Sequence, residues 1–536
     1  MARKKFDTLG VMVDMSRNSV MTMDTLKRFL PLIKKMGYNC LMLYTEDTYE
    51  VENEPHLGYM RGKYTMKQMK EIDAYAASLG MDVIPCVQTL AHLYQAVKWQ
   101  QLNFDCNDIL LVDDERTYEF IDHIFATLSK CFRSKRVHVG MDEAHMLGRG
   151  KYLEKHGYEP SYSIMQQHIA KVREIAKKYD YEIMIWSDMY FSSWHDGEYY
   201  VTEKVKMPED VVASYHDDVI PVYWDYYHTN QSDYEAMIYN HHQLSKNTWF
   251  AGGAWGWSGL IPHNQYSLNS MLPAIRACRK MGVRNIIMTM WGDCGGEGSQ
   301  FARLPALHYI AEYAKGNEDD ALIKAKFKRL TGIEFDDFMK IDLPNQIQGY
   351  MPKVNPSRYM LYADYFNDFL DYTVKPGVGD KYHDFARDLH EVARKSRRYG
   401  YIFKTAAKLC EVLAVKYELG LKTRRAYEAG DKEALKKLAE NDYVLVMKKI
   451  REYADAYEKQ WMYDNHPSGF DVQALRIGGI LYRTEICRKR ILDYVKGKLE
   501  RIDELHEKIL PLKDKEAEMP AFFAGAESYM TPNVLL

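Results

Sequence analysis

The sequence predicts a (β/α)8 barrel followed by an all-α C-terminal domain, on three observations. Eight short β-rich runs alternate with helix-period segments from residue 6 to about residue 327. Most of the runs end in polar or aromatic residues, and beyond residue 327 the alternation gives way to long helical periods. Alternating strands and helices imply a parallel sheet with helical crossovers, and a closed barrel of that kind keeps its chemistry at the strand C-termini. The expected division is residues 1–327 for the barrel and 328–536 for the helical domain.

Residues 6–14 form the first predicted strand, closed by Met15-Ser16-Arg17, and a helix over 23–36 is stopped by Gly37. The second strand, 39–44, leads through an acid-rich loop to a helix at 65–79. The third, 82–88, ends in Thr89-Leu90-Ala91-His92. A helix over 114–130 feeds the fourth strand, 136–140, which runs into Met141-Asp142-Glu143-Ala144-His145. After a helix at 161–179, strand five (182–186) leads into Ser187-Asp188, strand six (219–223) into Trp224-Asp225-Tyr226-Tyr227, and strand seven (248–251) into a Gly-Trp segment ending at Trp257. Strand eight, 285–290, ends in Trp291-Gly292-Asp293. Helices are then expected at 381–397, 401–427, 432–462 and 478–509, with Gly430-Asp431 a stop and N-cap between two of them. This domain packs on the barrel or on a second copy of the chain, as in a homodimer.

Composition narrows the function classes. A net charge of -3 argues against a nucleic-acid partner. The eight cysteines are scattered, with no C-x-x-C pair, which predicts reduced thiols and a cytoplasmic setting. The start of the chain has basic residues but no apolar run behind them, and no stretch of 18 apolar residues occurs, so neither export nor a membrane span is expected.

The adjacent acids Asp142 and Glu143 carry the chemical argument. Neighbours on a regular strand point to opposite faces, so both reach one substrate only if the strand has already given way to loop. A pair this close does not suit two carboxylates flanking a glycosidic bond at about 5 Å or more. It suits a reaction in which the substrate brings its own nucleophile. The plain alternative is an Asp-Glu pair that caps the next helix.

His138-x-Gly140-x-Asp142-Glu143 resembles the signature of the family 20 glycoside hydrolases, the β-N-acetylhexosaminidases, and shorter matches extend the resemblance over roughly the first 320 residues. It implies that Glu143 is the general acid/base and that Asp142 orients the 2-acetamido group, whose oxygen attacks the anomeric carbon to give an oxazolinium ion. It also implies that Arg17 holds the 3- and 4-hydroxyls of the terminal sugar, a role suited to a guanidinium fork. His92 matches a supporting histidine, although Thr89-Leu90-Ala91 replaces the family's Pro-Gly. His138 either supports the acid or holds strand ends together.

Tyr223-Trp224-Asp225 resembles the family's Tyr-x-Asp, with the phenol on the acetamido carbonyl and Asp225 on a sugar hydroxyl; Tyr226 and Tyr227 are alternatives for the phenol. Trp291-Gly292-Asp293 resembles Trp-Gly-Glu with the acid shortened by a methylene. Trp186, Trp255 and Trp257 would complete an indole wall around the acetamido group. Trp461 to His466 and Gly469-Phe470-Asp471 resemble a segment of the cytoplasmic, hexosaminidase D-like branch.

The expected function is exo-acting, retaining removal of terminal β-linked GlcNAc or GalNAc from a small oligosaccharide or glycoconjugate. Another acetamido-assisted glycosidase of the O-GlcNAcase kind and a non-catalytic sugar-binding barrel are the alternatives. No cofactor or metal is implied: Gly295-Gly296-Glu297-Gly298-Ser299 lacks the Lys of a phosphate loop, and His390-Glu391 has Arg394 where a zinc helix needs His.

Overall fold

A computed structural model describes residues 6–510 and 530–532. Eight parallel strands close into a barrel in sequence order: β1 (Thr8–Asp14), β2 (Cys40–Tyr44), β3 (Asp82–Cys86), β4 (Arg136–His138), β5 (Glu182–Trp186), β6 (Val219–Trp224), β7 (Trp249–Gly253) and β8 (Asn285–Met290). β8 returns to pair with β1, Thr8 opposite Asn285 and Val13 opposite Met290. Amphipathic helices cross over between strands, among them Met23–Met36, Met66–Ser78, Glu115–Cys131 and Ser161–Lys178. β5 is instead followed by two five-residue helices, Asp188–Ser192 and Glu209–Ala213.

Alternate residues of each strand fill the barrel axis, including Met12, Met42, Tyr44, Ile84, Trp186, Val222, Trp249 and Ile287. The strands are buried on both faces, as parallel sheets are, and read as continuous apolar runs. β3 and β4 end two residues earlier than their patterns predict, and the freed residues build the site.

By contact density the chain falls into two units. The first takes residues 1–254, 267–291 and 306–323, and the second takes 255–266, 292–305 and 324–536, so the segments after β7 and β8 group with the helical part. Its main helices are Lys381–Lys395, Gly400–Lys416, Leu419–Glu428, Tyr443–Asp464 and Phe470–Val495. The helix expected over 401–427 breaks at Tyr417 and Glu418, whose side chains receive the N–H groups of Lys375 and Gly377. That over 432–462 is interrupted by a π turn at Leu438–Asp442.

The last helix starts eight residues before the expected position 478. Gly478 and Gly479 lie inside it, tolerated because Gln473, Ile477, Ile480, Thr484, Cys487 and Ile491 bury one continuous face. Buried Glu297 ties this unit together, accepting from Arg358 Nε (2.6 Å), Arg476 Nη1 (2.9 Å) and Tyr362 OH (2.8 Å). Asp464 accepts from Ser299 Oγ and Tyr401 OH, which makes the break near residue 465 a joint between helices of this unit. Among the described residues no helix is long and apolar enough to cross a membrane.

Candidate active site

The adjacency of Asp142 and Glu143 is resolved by the backbone. β4 stops at His138, and Gly140 (φ +73°), Met141 (φ +69°) and Glu143 (φ +51°) then adopt left-handed conformations. For the two non-glycine residues this costs about 1 kcal/mol or more each, strain of the kind that concentrates at functional sites. Gly140 has no choice of side chain, since a Cβ there would stand 2.0 Å from Gln88 Oε1.

Gln88, in the loop after β3, clamps the turn. Its Oε1 accepts the Met141 N–H (3.1 Å), while its Nε2 donates to Asp142 Oδ1 (2.8 Å) and to Tyr44 OH (2.9 Å). On the other side, Asp188 Oδ2 accepts the Glu143 N–H at 2.8 Å.

His92, itself left-handed at φ +58°, joins the two acids. Its Nε2 lies 3.2 Å from Asp142 Oδ2 and 3.6 Å from Glu143 Oε2. Burial alone would discharge this imidazole, but the Asp142 carboxylate outweighs burial and holds its pKa at about 10. Asp142 benefits in return: burial works against its charge, yet His92 and the Gln88 amide keep it below the ordinary aspartate value. Glu143 moves the other way, raised by burial and by the charge of Asp142, with its side chain 50% exposed. Two neighbouring carboxyls thus have their pKa values driven apart, the condition for dividing an ionised role from a proton-donating one.

Arg17 Nη2 pairs with Glu46 Oε1 at 2.9 Å. Glu46, which also accepts from Tyr44 OH, is pushed up to about 7 by burial, with Arg17 opposing. Arg61 pins this pair from behind, donating to the Ser16 carbonyl and Asn18 Oδ1 on either side of Arg17 and bridging to Asp47.

Trp186, Trp224 and Trp291 floor the site. Trp291 meets Tyr44 edge-on at 4.7 Å, lies 5.8 Å from Trp186 and donates its Nε1–H to Tyr226 OH at 2.9 Å. Trp224 and Tyr226 stack at 5.6 Å. His138 lies beneath, 4.2 Å from Trp186, its Nδ1 accepting the Gly140 N–H; burial keeps it neutral, with a pKa of about 3. It acts as a strut for the turn.

Two sequence-based roles need correction. Val222 points into the barrel and Trp224 packs against the same cluster, so Tyr223 between them points outward, against His241 and Phe250. Its hydroxyl donates to Asp225 Oδ2 at 2.6 Å. Asp225 is fully buried and also receives His228 Nδ1 and the Tyr227 N–H, so its acceptors serve the turn after β6 rather than a sugar hydroxyl. Trp255 and Trp257, on the segment after β7, stack on each other at 4.3 Å within the second unit. Asp293 belongs to that unit as well and is exposed.

A sequence model described as "Glycosyl hydrolase family 20, catalytic domain" matches residues 6–251, and one described as "Glycoside Hydrolase 20C C-terminal domain" matches residues 336–523. The chain belongs to glycoside hydrolase family 20. Among its relatives, Beta-hexosaminidase 3 of Arabidopsis thaliana is 26% identical over 208 residues, 35% of this chain and 38% of that protein. Hexosaminidase D of Homo sapiens is 22% identical over 337 residues, 58% of this chain and 66% of that protein. The matched stretches therefore span less than two thirds of these relatives. A solved Streptomyces plicatus N-acetyl-beta-hexosaminidase superposes with a TM-score of 0.45 at 19% identity, covering 61% of this chain and 69% of that one.

Within this family 20 barrel, Gln88, Glu46 and Asp188 went without roles in the sequence reading, although each stands at or just past a strand end, where a barrel places its chemistry. Asp188 makes a stability prediction. Burial and the Asp142 charge raise it to about 7 from an ordinary 3.8, so folding favours its protonated form. That contribution is complete below pH 3.8 and is lost as pH rises through 7. Asp188→Asn keeps an acceptor for the Glu143 N–H but cannot ionise. It should melt at a higher temperature than the parent at pH 8 and at the same temperature near pH 4. An equal or lower melting temperature at pH 8 would show that the ionised carboxylate costs the fold nothing.

Proposed function

We propose that this protein is an exo-acting, retaining β-N-acetylhexosaminidase that releases terminal β-linked GlcNAc or GalNAc by substrate-assisted catalysis. The observation that carries this reading is the Asp142–His92–Glu143 contact, in which one acid is held ionised and its neighbour's pKa is raised. Adjacent carboxyls cannot flank a sugar as acid and enzymic nucleophile, which stand about 5 Å apart on opposite sides of the bond. They can serve a substrate whose own acetamido oxygen attacks.

In the first step Glu143 gives its proton to the glycosidic oxygen as the C1–O bond breaks, and the acetamido oxygen closes on C1. Asp142 accepts the amide N–H, which gathers negative charge on the attacking oxygen and stabilises the positive charge of the oxazolinium ion. In the second step Glu143, now a carboxylate, takes a proton from water, which opens the ring at C1. Two inversions give retention. The tether supplies a large effective concentration of nucleophile, and Trp186, Trp224 and Trp291 form the apolar floor. Tyr226, rather than Tyr223, is the phenol we assign to the acetamido carbonyl.

The substrate we assign is a small oligosaccharide or glycoconjugate with a terminal N-acetylhexosamine, encountered in a reducing cytoplasm; among the described residues no disulfide joins the eight cysteines. The test compares 4-nitrophenyl N-acetyl-β-D-glucosaminide with the plain 4-nitrophenyl β-D-glucoside. The first should be hydrolysed at least about a thousandfold faster, because only it carries the tethered nucleophile. Equal rates on both would overturn the mechanism.

A further inference from the structure

Exposed apolar side chains are unevenly spread over the barrel unit. Of the eight large ones exposed among its described residues, six (Tyr59, Met60, Tyr94, Met146, Leu153 and Tyr158) lie in the segments following β2, β3 and β4. Scattered singly they would need no explanation, but this is a grouping on one side of the barrel's C-terminal face.

Two of them stand beside the acid. Tyr94, 72% exposed, comes two residues after His92, and Met146, 48% exposed, comes three after Glu143. The chain's reach limits their Cα atoms to about 7 and 11 Å from those of His92 and Glu143. His92 Nε2 and Glu143 Oε2 are themselves 3.6 Å apart, so Tyr94 and Met146 are carried by the two loops that meet at the carboxyl assigned to the glycosidic oxygen. Whatever is bonded to that oxygen, on the side away from the sugar being released, is the leaving group.

The segment that carries Tyr94 is anchored. Tyr94 opens a short helix, Tyr94–Val97, anchored by buried Leu93 and Ala96. Trp99, at the far end of that turn, packs edge-on against Tyr59 at 5.3 Å and lies 6.0 Å from His56. An exposed aromatic ring on an anchored backbone suits the flat C–H face of a saccharide, because few side-chain torsions remain to be ordered on binding.

We propose that Tyr94 and Met146 form a leaving-group platform on which a second, uncharged saccharide ring of the substrate stacks, so that the enzyme's substrate is a β-linked di- or oligosaccharide. The proposal rests on the hydrolase reading above, and the experiment separates the two. N,N'-diacetylchitobiose has a sugar leaving group, whereas methyl N-acetyl-β-D-glucosaminide has almost none. Tyr94→Ala should lower kcat/KM for chitobiose about tenfold, mostly through KM, and leave the methyl glycoside within about twofold. Met146→Ala should act in the same direction more weakly, and Tyr94→Phe should behave like the parent.

Equal loss on both substrates would mean that Tyr94 only holds the loop, and no loss on either would mean that nothing stacks there; either result overturns the platform while leaving the reaction intact. If Tyr94→Ala instead altered the oligomeric state in sedimentation and spared both substrates, the rim would be a protein interface and the proposal would fall. Hydrolysis of neither substrate by the parent would overturn the reaction and the platform together.

Discussion

Glu143→Gln is expected to lower kcat on an alkyl or sugar N-acetyl-β-glucosaminide by about 10²–10⁴-fold with little change in KM, the range that a positioned proton donor supplies. Glutamine keeps the shape of the side chain and the backbone N–H bond to Asp188, so the turn is not at risk. What disappears is the proton for the departing oxygen. The deficit should therefore shrink for a leaving group that departs as a stable anion, such as 2,4-dinitrophenolate, and a uniform deficit across leaving groups would remove Glu143 from the acid role. The pH profile is a second reading of the same substitution. The proposed mechanism requires Asp142 ionised and Glu143 protonated; the first pKa is lowered and the second raised, so the parent should show a bell with its alkaline limb above the ordinary glutamate value of 4.5. That limb should be missing from the residual activity of the variant.

Much of the site was legible because a barrel encodes its chemistry by position. Strand runs separated by helical periods locate the C-terminal ends, and Arg17, His92, Asp142 and Trp291 all follow such ends. Three kinds of information were not in the local pattern. Left-handed backbone at His92, Met141 and Glu143 is imposed by tertiary partners such as Gln88 and Asp188, and propensity gives no sign of it. Side-chain parity on β6 was also hidden: Val219 to Trp224 is apolar throughout because both faces are covered, so nothing in the run says that Val222 faces the axis and Tyr223 the helices. Tyr226, beyond the strand, escapes that parity and reaches Trp291.

Buried acids are the third kind. Glu46 and Asp188 look like ordinary loop carboxylates in sequence, and only the fold shows that each is almost fully buried with a pKa near 7. In the helical part, the last helix was expected to begin at Gly478, yet the buried face from Gln473 to Ile491 carries it through Gly478 and Gly479. A weak local preference gives way to a buried stripe of that length.

Asp142→Asn should produce three linked changes, which is why it is the sharper test of the mechanism. First, kcat on N-acetyl substrates should fall by about 10²–10³-fold or more, because a neutral amide no longer stabilises the charge that develops on the acetamido group. A plain glucoside should be almost unaffected, so the preference for the amide shrinks. Second, His92 loses the carboxylate that does most to hold it at about 10, so its pKa, followed by NMR of the ring protons, should fall. Third, Glu143 loses the negative neighbour that helps raise its pKa, so the alkaline limb of the remaining activity should move to lower pH. The melting temperature separates these effects from misfolding, since the Gln88 Nε2 donor still finds the amide oxygen of the substituted side chain. A variant in which His92 and the limb shift as expected while kcat on the N-acetyl substrate holds would mean that Asp142 serves only to charge His92. The acetamido group would then be steered by something else, and substrate assistance through this pair of acids could not stand.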